Sequence, residues 1–258
     1  MIDPVVATRG DVLATARTQL DLAKLVLCDV DGCLVESDAL CAGAAAFVAR
    51  HGERLRLVTN NSTMTAAALS AYLGTLGLDV PAARCFLAGE MALAYTRDHY
   101  PGLRVLAVAT LAIRRQAEAL GLHLTDARPD VVVLCNDPML DIERLQQVIT
   151  AAHCGVPVIV ANPDRWRPDR AGTPLIETGT LLAALRAAVP RATVTIVGKP
   201  SLEMFRRALE GVSPTDAVMV GDNRETDVAG AERLGITAIH IGRSREAIAP
   251  QLLDLMER

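Results

Sequence analysis

Short apolar runs alternate with segments of helical spacing along most of the chain. The first clear run is Leu25-Val26-Leu27-Cys28, and polar residues follow it directly. Short, nearly continuous apolar runs are typical of strands buried on both faces of a parallel sheet, and the helical segments supply the crossovers that parallel pairing requires. The alternation therefore predicts an α/β fold built on parallel β-sheet.

The predicted elements fall into three series. The first contains helix 5–22, strand 24–28, helix 42–51, strand 55–59 and helix 65–76. The second begins near residue 79 and contains helix 88–99, strand 104–109, helix 111–120, strand 130–135, helix 141–153 and strand 156–161. The third contains helix 180–188, strand 193–197, helix 202–210, strand 217–220, helix 225–234, strand 237–241 and helix 245–257.

A segment rich in proline, glycine, aspartate and arginine, residues 162–180, separates the second series from the third. This composition is typical of a hinge between domains. We therefore predict a discontinuous core domain formed by residues 1–78 and 179–258. A smaller α/β domain, residues 79–178, is inserted in its middle.

Composition defines the kind of core and argues against several partners. Hydrophobic residues make up 51% of the 258 residues but aromatic residues only 3%, so the core must consist mainly of Ala, Val, Leu and Ile. The net charge is −4 and no basic stripe is interleaved with aromatic residues, which argues against nucleic acid. No apolar stretch reaches the roughly 18 residues of a membrane helix, and residues 1–24 lack the apolar core of a signal peptide.

The cysteines favour a reducing compartment. None of the six belongs to a Cys-x-x-Cys pair, so a zinc site is not expected. Most lie in apolar segments, as buried thiols do. We therefore predict a cytoplasmic protein with reduced cysteines.

Four polar clusters follow predicted strands of the core domain: Asp29/Asp31, Thr59-Asn60-Asn61, Lys199, and Asp222-Asn223 with Asp227. Ligands of parallel sheets bind beyond the carboxyl ends of the strands, so we expect all four clusters on one rim of one sheet. Each cluster alone has a simpler explanation, namely a turn, a helix cap or a solvated lysine. Together they have the composition of a metal-assisted phosphoryl-transfer site, which needs a cation, hydrogen-bond donors and an in-line nucleophile.

Two features of these clusters point to a cation and an anion. Asp29 and Asp31 are one residue apart, and such carboxylates repel each other unless a cation such as Mg²⁺ lies beside them. Lys199 is one of only two lysines among 26 lysine and arginine residues. Because lysine is a compact point charge and arginine a broad fork, a crowded anionic site would favour the lysine.

In this order the motifs resemble those of a known enzyme superfamily. Asp29-Val30-Asp31-Gly32, Thr59-Asn60-Asn61, Gly198-Lys199-Pro200 and Gly221-Asp222-Asn223 with Asp227 are similar to the four motifs of the haloacid dehalogenase (HAD) phosphatases. Asn162-Pro163-Asp164, before the return to the core, resembles the NagD-like branch, class IIA. The resemblance covers residues 24–245 and implies a Rossmann-like parallel-sheet core with an inserted α/β cap.

The resemblance implies the chemistry of the first and fourth motifs. Asp29 is the nucleophile that forms an aspartyl-phosphate, and Asp31 is the general acid and base. Asp29, the backbone carbonyl of Asp31, and Asp222 bind Mg²⁺. Asn223 and Asp227 support that metal site from a second layer.

The resemblance also implies how the phosphate and the substrate are held. Thr59, Asn60 and Asn61 bind phosphoryl oxygens, Lys199 balances charge on the nucleophile and the phosphate, and Asn162 and Asp164 bind substrate.

Spacing indicates where the cap is inserted. Only 27 residues separate Asp31 from Thr59, whereas 137 separate Asn61 from Lys199. The second interval therefore holds the cap, which would exclude water and contact the leaving group. Near its end lies Trp166, the only tryptophan, which either faces the substrate or packs the domain junction.

The sequence thus predicts a Mg²⁺-dependent phosphomonoester hydrolase for a small phosphorylated metabolite, such as a sugar phosphate, a nucleoside monophosphate or glycerol phosphate. A phosphomutase or phosphotransferase of the same superfamily, or a non-catalytic phosphometabolite-binding module, remains an alternative. A mutase usually has a helical cap in the first interval, and a binding module would be expected to lose Asp29 or Asp31. A homodimer formed through the cap is left open.

Overall fold

The structure, a computed structural model, describes residues 8–169, 171–244 and 246–256. The ends of two predicted elements lie outside the described residues. They are residues 5–7 of helix 5–22 and residues 245 and 257 of helix 245–257.

Helices and strands alternate as the hydrophobic pattern predicts. The α-helices are α1 (Arg9–Leu22), α2 (Ala44–His51), α3 (Ala66–Thr75), α4 (Ala88–His99), α5 (Leu111–Ala119), α6 (Ile142–His153), α7 (Thr178–Ala188), α8 (Leu202–Leu209), α9 (Ala229–Glu232) and α10 (Leu252–Met256). The strands are β1 (Leu25–Cys28), β2 (Val35–Glu36), β3 (Ala39–Leu40), β4 (Leu55–Thr59), β5 (Cys85–Leu87), β6 (Arg104–Val108), β7 (His123–Leu124), β8 (Val131–Leu134), β9 (Val158–Val160), β10 (Trp166–Pro168), β11 (Pro174–Ile176), β12 (Val194–Ile196), β13 (Ala217–Gly221) and β14 (Thr237–His240). Among the described residues, none of the helices is long and apolar enough to cross a lipid bilayer.

The chain forms two compact units. The first consists of the described parts of Met1–Val58, Leu73–Val80 and Phe205–Arg258, and the second of Thr59–Tyr72 and Pro81–Met204. The division into a core and a cap at residues 79 and 178 stays a prediction.

Parallel strands form the centre of the first unit, in the order β14-β13-β1-β4. Leu27 of β1 lies opposite Met219 of β13, and both are fully buried. Burial on both faces explains why the sequence of β1 is a continuous apolar run. Because β1 and β13 are parallel neighbours, Asp29 and Asp222 leave the sheet at the same rim.

A five-stranded parallel sheet forms the centre of the second unit, in the order β12-β9-β8-β6-β7. Aliphatic side chains from this sheet and from α6 and α7 build its core. They are Leu106, Val108, Val132, Leu134, Val148, Ala151, Ala152, Val158, Val160, Leu182 and Leu185. The predicted parallel α/β fold is thus confirmed in both units, and the aliphatic core fits the low aromatic content.

One strand belongs to a different sheet from the predicted one. β12, which precedes Lys199, pairs in parallel with β9 of the second unit, with Val194 opposite Val158. The reason is the crossover through α7, since a strand–helix–strand connection commonly returns the chain beside the strand that it left. The prediction that all four polar clusters follow strands of one sheet is therefore wrong for Lys199.

Two hairpins occur where no strand is predicted. β2 and β3 pair antiparallel after the first motif, and Ser37 and Asp38 join them with φ values of 51° and 62°. Positive φ at both central residues is the geometry of a type I′ turn, here without the usual glycine. β10 and β11 form the second hairpin inside the segment 162–180, which the sequence predicts to be a hinge.

The last predicted helix, 245–257, is wrong in its first half because α10 begins only at Leu252. Ile248 donates its N–H to the carbonyl oxygen of His240 (2.8 Å), and Gly242 donates to that of Ala249 (2.9 Å). These backbone groups are used beside the end of β14 and so cannot close helical turns. Pro250 also lacks an N–H.

A buried histidine in α2 couples the stability of the first unit to pH. His51 is 2% exposed, its ring centroid lies 4.3 Å from that of Phe47, and its Nε2 makes no hydrogen bond within the described chain. Arg54 lies 3.4 Å from Nδ1. Burial, together with the positive charges of Arg54 and Arg50, lowers the pKa of His51 from 6.5 to about 4. The folded protein therefore holds His51 neutral.

We expect the folded protein to lose stability as pH falls from about 6.5 toward about 4, because the unfolded chain protonates His51 first. Above pH 6.5 this contribution is fully present. The difference between folded and unfolded pKa values is worth on the order of 2 kcal/mol once solvent screening is included. In His51→Leu the free energy of unfolding, measured by urea denaturation, should fall less between about pH 7 and pH 4.5. The exposed His153, changed to Gln, is the control, and equal pH slopes in wild type and His51→Leu would contradict the assignment.

Candidate active site

Asp29 emerges from the sheet in a fixed and nearly buried position. It follows β1 directly and is 7% exposed. Its backbone N–H donates to the carbonyl oxygen of Val220 in β13 (2.9 Å), and its Oδ1 accepts a hydrogen bond from the N–H of Val30 (2.7 Å). The neighbouring strand thus fixes the backbone from which this carboxylate projects.

Gly32 makes room for Asp222 beside the first motif. It has φ +80°, a value that glycine adopts at little cost, and its N–H donates to the carbonyl oxygen of Val35 (2.8 Å). A Cβ at position 32 would lie 2.1 Å from Oδ2 of Asp222. The carboxylate of Asp222 therefore lies directly against the backbone of the turn that follows Asp29 and Asp31.

Three potential ligand atoms converge at this point. One carboxylate oxygen each of Asp29 and Asp222, and the Sγ of Cys33, all lie within 4.8 Å of one another. Two carboxylates at this distance favour a cation between them, and their oxygens suit a hard divalent ion. The residues therefore fit a divalent metal. Asp31 is predicted to bind the metal through its backbone carbonyl oxygen. The exposed side chain of Asp31 does not belong to this group of three.

The loop that carries Asp222 is held by its own neighbours. Asn223 accepts hydrogen bonds at Oδ1 from the N–H groups of Glu225 (2.9 Å) and Thr226 (3.2 Å), which begin a turn of π-helix, Arg224–Val228. Asp227 is fully buried, and its Oδ2 accepts from the N–H of Asn223 (3.1 Å). These contacts hold the backbone beside Asp222, and the supporting role of both residues stays a prediction.

His240, at the end of β14, is a residue that the sequence analysis missed. It is 7% exposed, and its Nε2 donates to the backbone carbonyl oxygen of Asp222 (3.0 Å). His240 lies opposite Gly221 in the register of β13 and β14. The contact arises from strand pairing, so no local motif in the sequence indicates it.

The pKa values of two thiols of the first unit, Cys33 and Cys41, are raised in part by the charge of nearby carboxylates. A hydrogen bond with Cys28, burial, and the negative charges of Asp29 and Asp222 raise the pKa of Cys33 well above its usual range. Burial and the charges of Glu36 and Asp222 raise the pKa of Cys41 to about 11. Both thiols are therefore protonated at neutral pH while the carboxylates hold no cation.

In the second unit, the predicted phosphate-binding loop after β4 forms a tight turn. The N–H of Asn61 donates to Oγ1 of Thr59 (3.1 Å). The Oδ1 of Asn61 in turn accepts from the N–H groups of Thr63 and Met64 (both 3.0 Å). The carbonyl oxygen of the Asn61 side chain thus shapes the turn, and Thr59 is 1% exposed.

The side chain of Asn60 links two other predicted site residues. Its Nδ2 donates to Oδ2 of Asp164 (3.0 Å) and to the backbone carbonyl oxygen of Lys199 (3.1 Å). Its Oδ1 is buried and accepts no hydrogen bond within the described chain. Both amide hydrogens are therefore used inside the protein.

Asn162 holds this loop from beneath. It is fully buried, and its Nδ2 donates to the backbone carbonyl oxygen of Asn60 (2.7 Å) and to Oγ1 of Thr178 (3.3 Å). Thr178 also lies 3.2 Å from the hydroxyl of Ser62, which accepts from the N–H of Asn136 (3.0 Å). Asn162 is thus part of a buried network, and Ser62 and Thr178 are further members that the sequence analysis missed.

Lys199 and Trp166 differ sharply in exposure. Lys199 is 1% exposed and follows Gly198, whose N–H donates to the carbonyl oxygen of Ala161 (2.7 Å). Trp166 is 59% exposed on β10 and lies opposite Ile176 of β11. The tryptophan is therefore available to a ligand of the second unit.

The predicted site residues thus form one cluster in each unit. The carboxylate cluster of the first unit contains Asp29, Asp31, Asp222, Asn223 and Asp227. The amide cluster of the second unit contains Thr59, Asn60, Asn61, Asn162, Asp164 and Lys199. Their catalytic and binding roles stay predictions.

Family profiles and proteins of known activity match most of this chain. A profile described as "Haloacid dehalogenase-like hydrolase" matches residues 26–123, and a second profile of HAD-like hydrolases matches residues 196–250. Dihydroxyacetone phosphatase of Corynebacterium glutamicum is 30% identical over 218 residues, which cover 83% of this chain and 78% of the relative. Ribonucleotide monophosphatase NagD of Escherichia coli K12 is 29% identical over 221 residues, which cover 84% of this chain and 86% of the relative.

Solved structures of phosphatases are also similar to this chain. A 4-nitrophenylphosphatase of Thermotoga maritima superposes with a TM-score of 0.84 at 27% identity, covering 92% of this chain and 98% of that one. A glycerol phosphate phosphatase of Mycobacterium tuberculosis, in complex with magnesium, superposes with a TM-score of 0.82 at 25% identity, covering 92% and 78%.

The protein is therefore an enzyme of the phosphatase class. It belongs to the haloacid dehalogenase-like hydrolases, in their NagD-like branch.

We expect Gly32→Ala to weaken binding of a divalent cation by roughly tenfold or more, because the new methyl group would displace the carboxylate of Asp222. Gly77→Ala is the matched control, since Gly77 has φ +85° but a Cβ added there would meet no described atom within 4 Å. Both variants place alanine at a positive φ, which costs roughly 1–2 kcal/mol. Calorimetric titration with Mg²⁺ measures the difference, and equal affinities in the two variants would contradict the packing argument.

Proposed function

We propose that this protein is a Mg²⁺-dependent phosphomonoester hydrolase that acts on a small phosphorylated metabolite through an aspartyl-phosphate on Asp29. The observation that carries the proposal is the pair of carboxylates, Asp29 and Asp222, whose oxygens lie within 4.8 Å of each other at one rim of a parallel sheet. The magnesium complex of the mycobacterial relative supports the choice of metal.

The first half of the reaction transfers the phosphoryl group to the protein. A carboxylate oxygen of Asp29 attacks phosphorus, and the bond between phosphorus and the ester oxygen breaks. Asp31 protonates that oxygen, so the alcohol leaves neutral. When bound beside Asp29 and Asp222, Mg²⁺ supplies positive charge that offsets the negative charge of the phosphoryl oxygens.

The second half returns Asp29 to its carboxylate form. Asp31, now ionised, removes a proton from a water molecule that attacks phosphorus, and the bond between phosphorus and Asp29 breaks. Inorganic phosphate leaves. The exposed side chain of Asp31 is suited to this exchange of protons with solvent, whereas the nearly buried Asp29 is suited to attack.

The amide cluster addresses the phosphoryl group in this proposal. Thr59 and the loop backbone bind phosphoryl oxygens, and the buried ammonium of Lys199 balances their charge. Because both amide hydrogens of Asn60 are used by Asp164 and Lys199, its side chain orients the backbone of Lys199 rather than meeting the phosphate.

The substrate belongs to the small phosphometabolites. Two of the relatives are a dihydroxyacetone phosphatase and a ribonucleotide monophosphatase, so both sugar-like and nucleotide substrates are candidates. The cytoplasmic location and a homodimer through the cap stay predictions.

Asp29→Asn should abolish steady-state hydrolysis because a carboxamide cannot form the acyl-phosphate. The measurement is a turnover screen over many phosphomonoesters, with Mg²⁺ present and then removed by a chelator. Asp216→Asn is the control, since Asp216 forms a surface ion pair with Lys24 in the same unit. Turnover by non-deamidated Asp29→Asn, or turnover that survives chelation, would refute the mechanism.

Substrate discrimination should depend on Trp166 rather than on the loop contacts. The motif residues are assigned to the phosphoryl group, the ester oxygen and the metal, which every candidate substrate has in common, whereas the exposed Trp166 can meet the remainder of the molecule. We expect Trp166→Ala to lower kcat/KM for the best natural substrate far more than for an aryl phosphate. Asp164→Ala should lower both by a similar factor, because Asp164 holds Asn60.

Leu22→Ala, which removes an even more exposed apolar side chain in the first unit, is the control for Trp166→Ala. If Trp166→Ala lowers kcat/KM by the same factor for both substrates, the assignment of substrate discrimination to Trp166 is wrong.

A further inference from the structure

The thiol of Cys33 adds a sulfur ligand to the carboxylate cluster, and magnesium sites do not use sulfur. The Sγ of Cys33 lies within 4.8 Å of the carboxylate oxygens of both Asp29 and Asp222. In the described part of the chain, no other group of three His, Cys, Asp or Glu side chains has its ligand atoms this close together. The sequence does not indicate this group because Asp222, one of its two carboxylates, follows a different strand, β13.

We propose that Asp29, Cys33 and Asp222 form a binding site for a thiophilic divalent cation, Zn²⁺ or Cd²⁺, with the sulfur of Cys33 as a direct ligand. Such a cation would occupy the place of Mg²⁺ and so inhibit the enzyme. The competition with Mg²⁺ rests on the proposed function, whereas ligation by sulfur does not.

The dimensions of the group suit such a cation. Zinc binds sulfur at about 2.3 Å and carboxylate oxygen at about 2.0–2.2 Å in tetrahedral sites, so its ligand atoms lie roughly 3.5 Å apart. From separations of up to 4.8 Å, the three side chains need to approach one another by about 1 Å. Small side-chain rotations provide this, and a water molecule completes the coordination.

A cation can reach the thiol although Cys33 is fully buried as a residue. A cavity of about 260 Å³ in the first unit is lined by Gly32, Cys33 and Asp222. Asp222 is exposed and so opens the group to solvent. The thiol proton leaves to solvent when the metal–sulfur bond forms.

Sulfur ligation distinguishes this site from ordinary preference among metals. Two carboxylates alone would bind Zn²⁺ more tightly than Mg²⁺, so tight zinc binding by itself proves nothing about Cys33. Thiolate, however, selects soft cations, whereas Mg²⁺ takes oxygen ligands. The contribution of Cys33 must therefore appear as a thiolate–metal bond and as a change in the ratio of the two affinities.

The test is titration of the full chain, free of metal, with Cd²⁺ while the ultraviolet sulfur-to-cadmium charge-transfer band is recorded. We expect one equivalent of Cd²⁺ to produce the band in the wild type. In Cys33→Ser the band should be absent, and Cd²⁺ affinity should fall roughly tenfold or more relative to Mg²⁺ affinity. Cys28→Ser, which changes the neighbouring buried thiol, and Cys154→Ser, which changes an exposed one, are the controls and should keep the band.

The outcomes separate this inference from the proposed function. No band in the wild type, or a band that survives Cys33→Ser but disappears in a control variant, would overturn it. A Cd²⁺ band whose apparent affinity does not fall in saturating Mg²⁺ would confirm the thiolate site and contradict the shared position with Mg²⁺. Mg²⁺-dependent hydrolysis without any band would leave the phosphatase mechanism intact and remove only the role of Cys33.

Discussion

The first unit depends on holding two like charges at one rim of its sheet. Two unit charges about 5 Å apart repel each other by roughly 3 kcal/mol at an effective dielectric constant of about 20, and a chain free to move would separate them. Here the backbone N–H of Asp29 donates a hydrogen bond to Val220 of β13, and the backbone carbonyl oxygen of Asp222 accepts one from His240. The sheet therefore holds the two carboxylates close together, and a divalent cation at this place would offset their repulsion.

In the second unit, buried polar side chains pair with one another and with the backbone of the loop after β4. Asn162 joins the backbone of Asn60 to Thr178, and Ser62 joins Thr178 to the backbone of Asn136. A buried network of this kind stabilises one arrangement only when its members are satisfied. These hydrogen bonds hold the backbone of the loop after β4 in one arrangement. In the proposed function, a loop held in this way would lose less conformational entropy when it binds a phosphoryl group.

Much of the fold can be predicted from the sequence because the apolar runs are short and the helices between them are regular. Sheet membership is harder, since it depends on which strand the crossover returns to, and β12 therefore lies beside β9. The hairpin of β2 and β3 escapes prediction because Ser37 and Asp38 adopt positive φ without a glycine. Motif residues such as Asp29 are predictable because each motif is contiguous. His240 and Cys33 are not, because each becomes important only through a residue of another strand.

Three glycines show how closely the motifs depend on one another. A Cβ at Gly32 would lie 2.1 Å from Oδ2 of Asp222, one at Gly198 would lie 2.7 Å from Oδ1 of Asn60, and one at Gly221 would lie 2.3 Å from Cβ of Asp227. At each position a Cβ would therefore press on the side chain just named, and at Gly198 the backbone carbonyl oxygen of Ala161 would be nearer still, at 2.4 Å. In the first two cases that side chain belongs to a different motif. A Cβ added in one motif would therefore press on a side chain of another, Asp222 for Gly32 in the first unit and Asn60 for Gly198 in the second.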